Sequence, residues 1–151
     1  MRLAWTVRGA VAAAGLIAGG AALAHSGATG IVKARMDGMK TMSDAAKALG
    51  AVKAGAIPYA PLTIRRAAGM LITEGTAARG QFPEGSASDV SEALPAIWSE
   101  RAGFDRLLED LIAAAERMEA AADDEAAAMR AAEDVAATCK DCHAKYRAKK
   151  L

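Results

Sequence analysis

Two cysteines and a histidine stand close to the C-terminus in the run Cys139-Lys140-Asp141-Cys142-His143. They are the protein's only cysteines, and His143 is one of its two histidines. Cys-x-x-Cys-His is the attachment signature for c-type haem. Each thiol can add across one haem vinyl group to give a thioether, and the following imidazole can ligate the iron. On a helix, positions i, i+3 and i+4 share one face. Cys139, Cys142 and His143 have that spacing, so a single helical face can hold a porphyrin at three points.

Other chemistries use the same residue types. A thioredoxin-like Cys-x-x-Cys belongs near a βαβ pattern and opens a helix, whereas here an alanine-rich helical run leads into the motif and no strand precedes it. A zinc site takes four protein ligands if structural and three if catalytic. The chain offers only these three residues and the distant His25, which is a poor set. A dithiol, a disulfide or a shared metal site is the remaining alternative to haem.

The elements that must position the motif follow from composition and periodicity. The 151 residues suffice for one domain with its own core. Alanine dominates and aromatics make up only 4%, which favours closely packed helices over a sheet. A formal charge of +1 gives no reason to expect a nucleic-acid partner.

Residues 1–24 read as a cleaved export signal. Arg2 and Arg8 form a basic start, Gly9 to Leu23 is apolar, and Ala22-Leu23-Ala24 gives an A-x-A cleavage site. The apolar run is short for a membrane span, though an uncleaved anchor is the competing reading. Export, to a periplasmic location, fits the thiols, because an unguarded pair oxidises outside the cytoplasm and thioethers are protected. The domain is then 25–151. His25 becomes the new terminus, where a free amine beside an imidazole can bind copper, although a disordered terminal histidine is the simpler reading.

Four amphipathic helices are predicted. The first covers Ile31 to Leu49, stopped by Gly50, with Ile31, Arg35, Met39, Met42, Ala46 and Leu49 on one stripe. Arg35 is out of place there, and a half-buried guanidinium needs an anionic partner, which a haem propionate would supply. A second helix runs from about Leu62 to Ala78 after Pro61. The irregular stretch Gly80 to Pro95 is long enough to be functional and is placed to cross one end of a haem crevice. A third helix covers Ala96 to Ala121, with Trp98 near its start read as core packing. A fourth, capped by Asp123 or Asp124, continues to about Lys149 with Met129, Ala132, Ala136, Cys139, Cys142, His143 and Tyr146 facing inward. Lys145, Arg147, Lys149 and Lys150 offset its dipole and form a basic rim able to steer an acidic redox partner. The fold class expected is all-α, an antiparallel four-helix bundle.

A C-terminal Cys-x-x-Cys-His on the last of four helices resembles the class II c-type cytochromes, the cytochrome c′ family. Val32-Lys33-Ala34-Arg35-Met36-Asp37-Gly38-Met39-Lys40 resembles that family's first helix, Phe82-Pro83-Glu84-Gly85-Ser86 its central loop, and Ala93-Leu94-Pro95-Ala96-Ile97-Trp98 with Phe104 the entry to its third helix. Thr138 to Arg147 resembles its haem-bearing end. The resemblance implies one covalent haem c, with Cys139 and Cys142 as thioether cysteines, His143 as proximal iron ligand, Arg35 near the propionates, Arg147 flanking the proximal pocket and Met39 facing the opposite side of the iron. In low-spin relatives a methionine there binds iron and the protein carries electrons. In high-spin relatives an apolar residue leaves the iron five-coordinate and open to NO or CO. Thioether ligation favours ferrous iron and an electron-carrier potential, so the expectation is a low-spin, non-enzymatic carrier serving redox partner proteins. Met36, one residue from Arg35, is expected to point elsewhere, and Met42 lies a turn further on. The resemblance also makes a homodimer plausible through the first two helices.

Overall fold

The computed structural model describes residues 27–149; the export segment, His25, Lys150 and Leu151 lie outside the described residues. Four long helices form an antiparallel bundle: α1 (Gly30–Lys53), α2 (Pro61–Ala78), α4 (Arg101–Ala120) and α5 (Glu125–Tyr146), with a single turn, α3 (Ala96–Ser99), before α4. No described helix is long and apolar enough to cross a membrane.

The element ends differ from the sequence expectation in three places. Gly50 does not stop α1, which runs to Lys53. The stop is Gly55, at φ +68°, where Ala56 N–H donates to Ala51 O at 2.9 Å and Gly55 N–H to Val52 O at 2.9 Å. That pair of bonds is a Schellman cap, which a residue without Cβ forms at no steric cost. The third predicted helix is broken at Glu100, whose backbone (φ −123°, ψ 41°) leaves the helical region. The fourth ends at Tyr146 rather than Lys149 because Arg147 is extended and bridges to Ala93. Leu94 N–H donates to Tyr146 O at 3.0 Å, and Ala148 N–H to Glu92 O at 2.8 Å. The long loop and the chain's tail therefore clip together. At the other end of α5, Asp124 caps as expected, accepting from Ala127 N–H at 3.0 Å.

Packing is sequential: α1 on α2, α2 on α4, and α4 on α5. Small residues allow it. Ala45, Ala67, Ala68, Ala114, Ala115 and Ala128 are all essentially buried around Ile64, Leu71 and Met118. The inward stripe of α5 is wider than the one expected: Ala132 and Tyr146 are buried as expected, Ala128, Ala131 and Val135 are buried as well, and Ala136 is exposed. On α1, Ile31 and Ala46 are exposed, and Gly38 and Ala45 are buried instead. A second, aromatic core closes one end of the bundle. Phe104 meets Phe82 and Tyr146 edge-on at 4.9 Å and 5.4 Å between ring centroids. Trp98 tilts against Phe82 at 6.3 Å, and its indole N–H donates to Pro83 O at 2.8 Å, the packing role expected of it. What the sequential packing leaves open is the seam between α1 and α5, which touch at few points.

Candidate functional site

That seam is a cleft of about 720 Å³, within the range of small-molecule and cofactor sites. One wall is α5, carrying Cys139, Cys142, His143 and Tyr146, with Arg147 just beyond it. The facing wall is α1, carrying Arg35, Met36, Met39 and Met42. Its floor is Phe104, Leu107, Leu108 and Leu111 of α4, and Val90 to Ala93 of the long loop cross one end. All six residues singled out in the sequence, Arg35, Met39, Cys139, Cys142, His143 and Arg147, line this one cleft. The expectation for Met36 was wrong: it lines the cleft too, because a cleft this wide takes in more than one row of α1 side chains.

The charge states of the α5 residues follow from burial. Both thiols are free and half-buried. Desolvation raises both, and Cys142 is pushed up to about 11, with the neighbouring Cys139 adding to the effect. A redox-active Cys-x-x-Cys needs the opposite, a stabilised thiolate, so this environment argues against a dithiol oxidoreductase. His143 is shifted downward, mainly by burial and further by the Arg147 cation, with Glu92 opposing. A neutral imidazole is the form that binds a metal.

Arg35 carries the clearest mark of a missing partner. It is only 2% exposed. Its guanidinium donates to the Ser86 carbonyl and, at 3.5 Å, to the Ser86 hydroxyl, and stacks over Phe82 at 4.9 Å and Trp98 at 5.9 Å. Its Nε has no hydrogen-bond partner, and no described acidic residue forms an ion pair with it. Burial accordingly depresses its pKa. A buried orphan donor costs about 1–3 kcal/mol, and an anionic group entering the cleft would remove that cost. The residues present therefore fit a flat, largely apolar macrocycle with acidic edges, two thiol attachment points and a nitrogen ligand.

The sequence reading set the Gly80 to Pro95 stretch across one end of the crevice, where Val90 to Ala93 lie, but did not single out Glu92. Glu92 and Ala93 line the cleft through backbone pairing that no motif announces. The expected basic rim is also less basic than the sequence suggests. Lys145 pairs with Glu100, and Arg147 lies 4.0 Å from Glu92. On α1, Lys33 pairs with Asp37, and Lys40 with Asp44 at 2.8 Å.

The comparisons agree with this geometry. The family model described as Cytochrome C' matches residues 30–147. A cytochrome c' of Rhodopseudomonas palustris is 30% identical over 138 residues, covering 91% of this chain and 94% of the relative. A cytochrome c-554 of Cereibacter sphaeroides is 43% identical over 72 residues, a match spanning 45% of this chain and about half, 54%, of that relative. Among solved structures, a variant cytochrome c prime from Alcaligenes xylosoxidans in complex with nitric oxide superposes with a TM-score of 0.72 at 30% identity, covering 80% of this chain and 94% of that one. The family's cofactor is covalently attached haem c, and its members are haem carriers and redox proteins. With a match running from the start of α1 to the bridge at Arg147, the chain belongs to the cytochrome c′ family, the class II c-type cytochromes.

Proposed function

We propose that the protein is an exported single-electron carrier in which Cys139 and Cys142 hold haem c, His143 is one axial ligand and Met39 the other. The observation that carries this is the single cleft with the Cys-x-x-Cys-His face on one wall and Met39 on the facing wall. Haem supplies the one-electron chemistry; the chain supplies attachment, orientation and dielectric. The α4 leucines and the aromatic end cluster exclude water. Arg35 offers its unpartnered Nε to an acidic edge. Burial pushes both thiols up before attachment, and each would add across one vinyl group to give a thioether. Thioether and imidazole ligation together raise the potential into a carrier range. Residues 1–24 are proposed as the signal that takes the chain to the periplasm, where redox partner proteins exchange electrons with it.

A second reading, five-coordinate iron binding NO or CO, is favoured by the similarity to the nitric oxide complex. It is also consistent with Met36, Met39 and Met42 sharing the wall, since methionine is an adaptable packing residue. The visible spectrum of the purified protein, oxidised and reduced, with and without CO, separates the two. The carrier reading expects sharp low-spin bands, a methionine-sulfur charge-transfer band in the ferric form and no change with CO. Met39→Ala then converts the spectrum to high spin. A broad high-spin spectrum that responds to CO, and that Met39→Ala leaves unchanged, establishes the gas-binding reading instead.

A further inference from the structure

The loop–tail clip sets one acidic and one basic side chain, Glu92 and Arg147, into its register. Ala93 bridges antiparallel to Arg147, and Glu92 and Ala148 are joined by a backbone bond of 2.8 Å. The clip therefore delivers the Glu92 carboxylate to within 4.0 Å of Arg147 Nε. Glu92, Arg147 and His143 all line the cleft. An exposed ion pair formed by two free side chains contributes little, because holding both in one geometry costs entropy. Here the bridge already holds both parent backbones within reach of each other, so only the ordering of the two side chains remains. We propose that Glu92 is a positioning residue for the histidine side of the cleft, holding the Arg147 guanidinium at its edge and compensating its charge next to His143.

The consequence is electrostatic. Arg147 lies one helical turn beyond His143, so an uncompensated guanidinium there disfavours ferric iron, which carries more positive charge than ferrous. Glu92 adds a field of opposite sign, which is independent of Arg147, and it fixes where the guanidinium sits, an effect that disappears when Arg147 is removed and that the cycle below isolates. The inference rests on the reading of His143 as an iron ligand.

The test is a double-mutant cycle on the haem-loaded protein, read by reduction potential. Glu92→Gln is expected to shift the potential upward in the otherwise native chain and to shift it much less in an Arg147→Gln background. Glu92→Asp is expected to restore part of the native value. Equal shifts in both backgrounds overturn the proposal, because they mean that Glu92 acts as a nearby charge independent of Arg147. No shift in either background overturns it as well. Unchanged helical circular dichroism in each variant confirms that the fold is held while the potential moves. Failure of the underlying reading shows separately: His143→Gly is expected to alter the visible spectrum and regain it with added imidazole, and a spectrum indifferent to that change removes the ligand reading and this inference with it.

Discussion

At the scale of single residues, the site is a set of side chains whose ordinary preferences are overridden by burial. Cys142 is the sharpest case. With its thiol pushed up by burial to about 11 from its ordinary value, the thiolate fraction near pH 8 falls on the order of a hundredfold, and alkylation requires the thiolate. The haem-free chain is therefore expected to react with iodoacetamide at Cys142 about a hundredfold more slowly than an unfolded control does. Raising the pH toward 11 should narrow that gap. Peptide mass spectrometry of timed samples measures both, and native-state labelling at the control rate refutes the burial argument. Arg35 was legible as an anomaly in the sequence because a cation on an apolar stripe contradicts its own helix. Met36 was not legible, since one residue's rotation on a helix turns a side chain by about 100° but does not say how wide the opening is that it faces. Glu92 was invisible for a different reason: its position is set by a bridge between segments more than fifty residues apart, and nothing local encodes that pairing.

Elements were readable where local chemistry decides them and misread where tertiary contacts do. Asp124 was identifiable as a cap from its type and its place before an alanine run. The continuation of α1 past Gly50 was hidden because an exposed glycine inside a helix costs only about 1 kcal/mol relative to alanine, which three further helical residues and the Gly55 cap outweigh. The break at Glu100 separates α3, anchored by Ile97 in the aromatic core, from α4, whose first turn must pass close to α5. Gly103 shows how close. A Cβ there would lie 2.7 Å from the Tyr146 hydroxyl, inside any real contact, and Tyr146 is only 3% exposed and edge-packed on Phe104. Gly103→Ala gains about 1 kcal/mol of helix propensity and incurs about 1–3 kcal/mol of overpacking. The net expectation is destabilisation by up to about 2 kcal/mol, read as a lower midpoint in urea. Because Tyr146 lines the cleft, the same variant is expected to perturb the haem bands. A variant more stable than the native chain would show that Tyr146 has room to withdraw.

The whole molecule is a chain of helix contacts with one open seam. The helices follow α1, α2, α4, α5 in packing order, and the circuit is closed only weakly where α1 meets α5. In an ordinary four-helix bundle that fourth interface is filled by side chains; here it is a cleft of about 720 Å³ lined largely by apolar groups. The cofactor thus stands in for an interface. Anything that binds the folded state and not the unfolded one stabilises it, and a covalently held group cannot dissociate, so the contribution is permanent once attachment is made. The loss on removing it should fall unevenly. The α2–α4 and α4–α5 contacts are made without α1, although the buried cluster around Leu71, Met118 and Val135 also takes in Met42 from the α1 wall of the cleft. α1 keeps its contact with α2 but loses what lies across the seam, and Arg35 keeps its loop contacts with an unpartnered Nε. A Cys139→Ala/Cys142→Ala chain, which cannot be alkylated by haem, is therefore expected to retain most of its helical circular dichroism and to unfold at a lower temperature. In hydrogen exchange its amides in α1 should lose protection by a larger factor than those in α4. Local openings that track few buried contacts behave this way. Equal loss of protection in the two helices would mean that the bundle is a single cooperative unit in which the cleft wall has no independent stability, and it would count against the view that the cofactor replaces the missing α1–α5 interface.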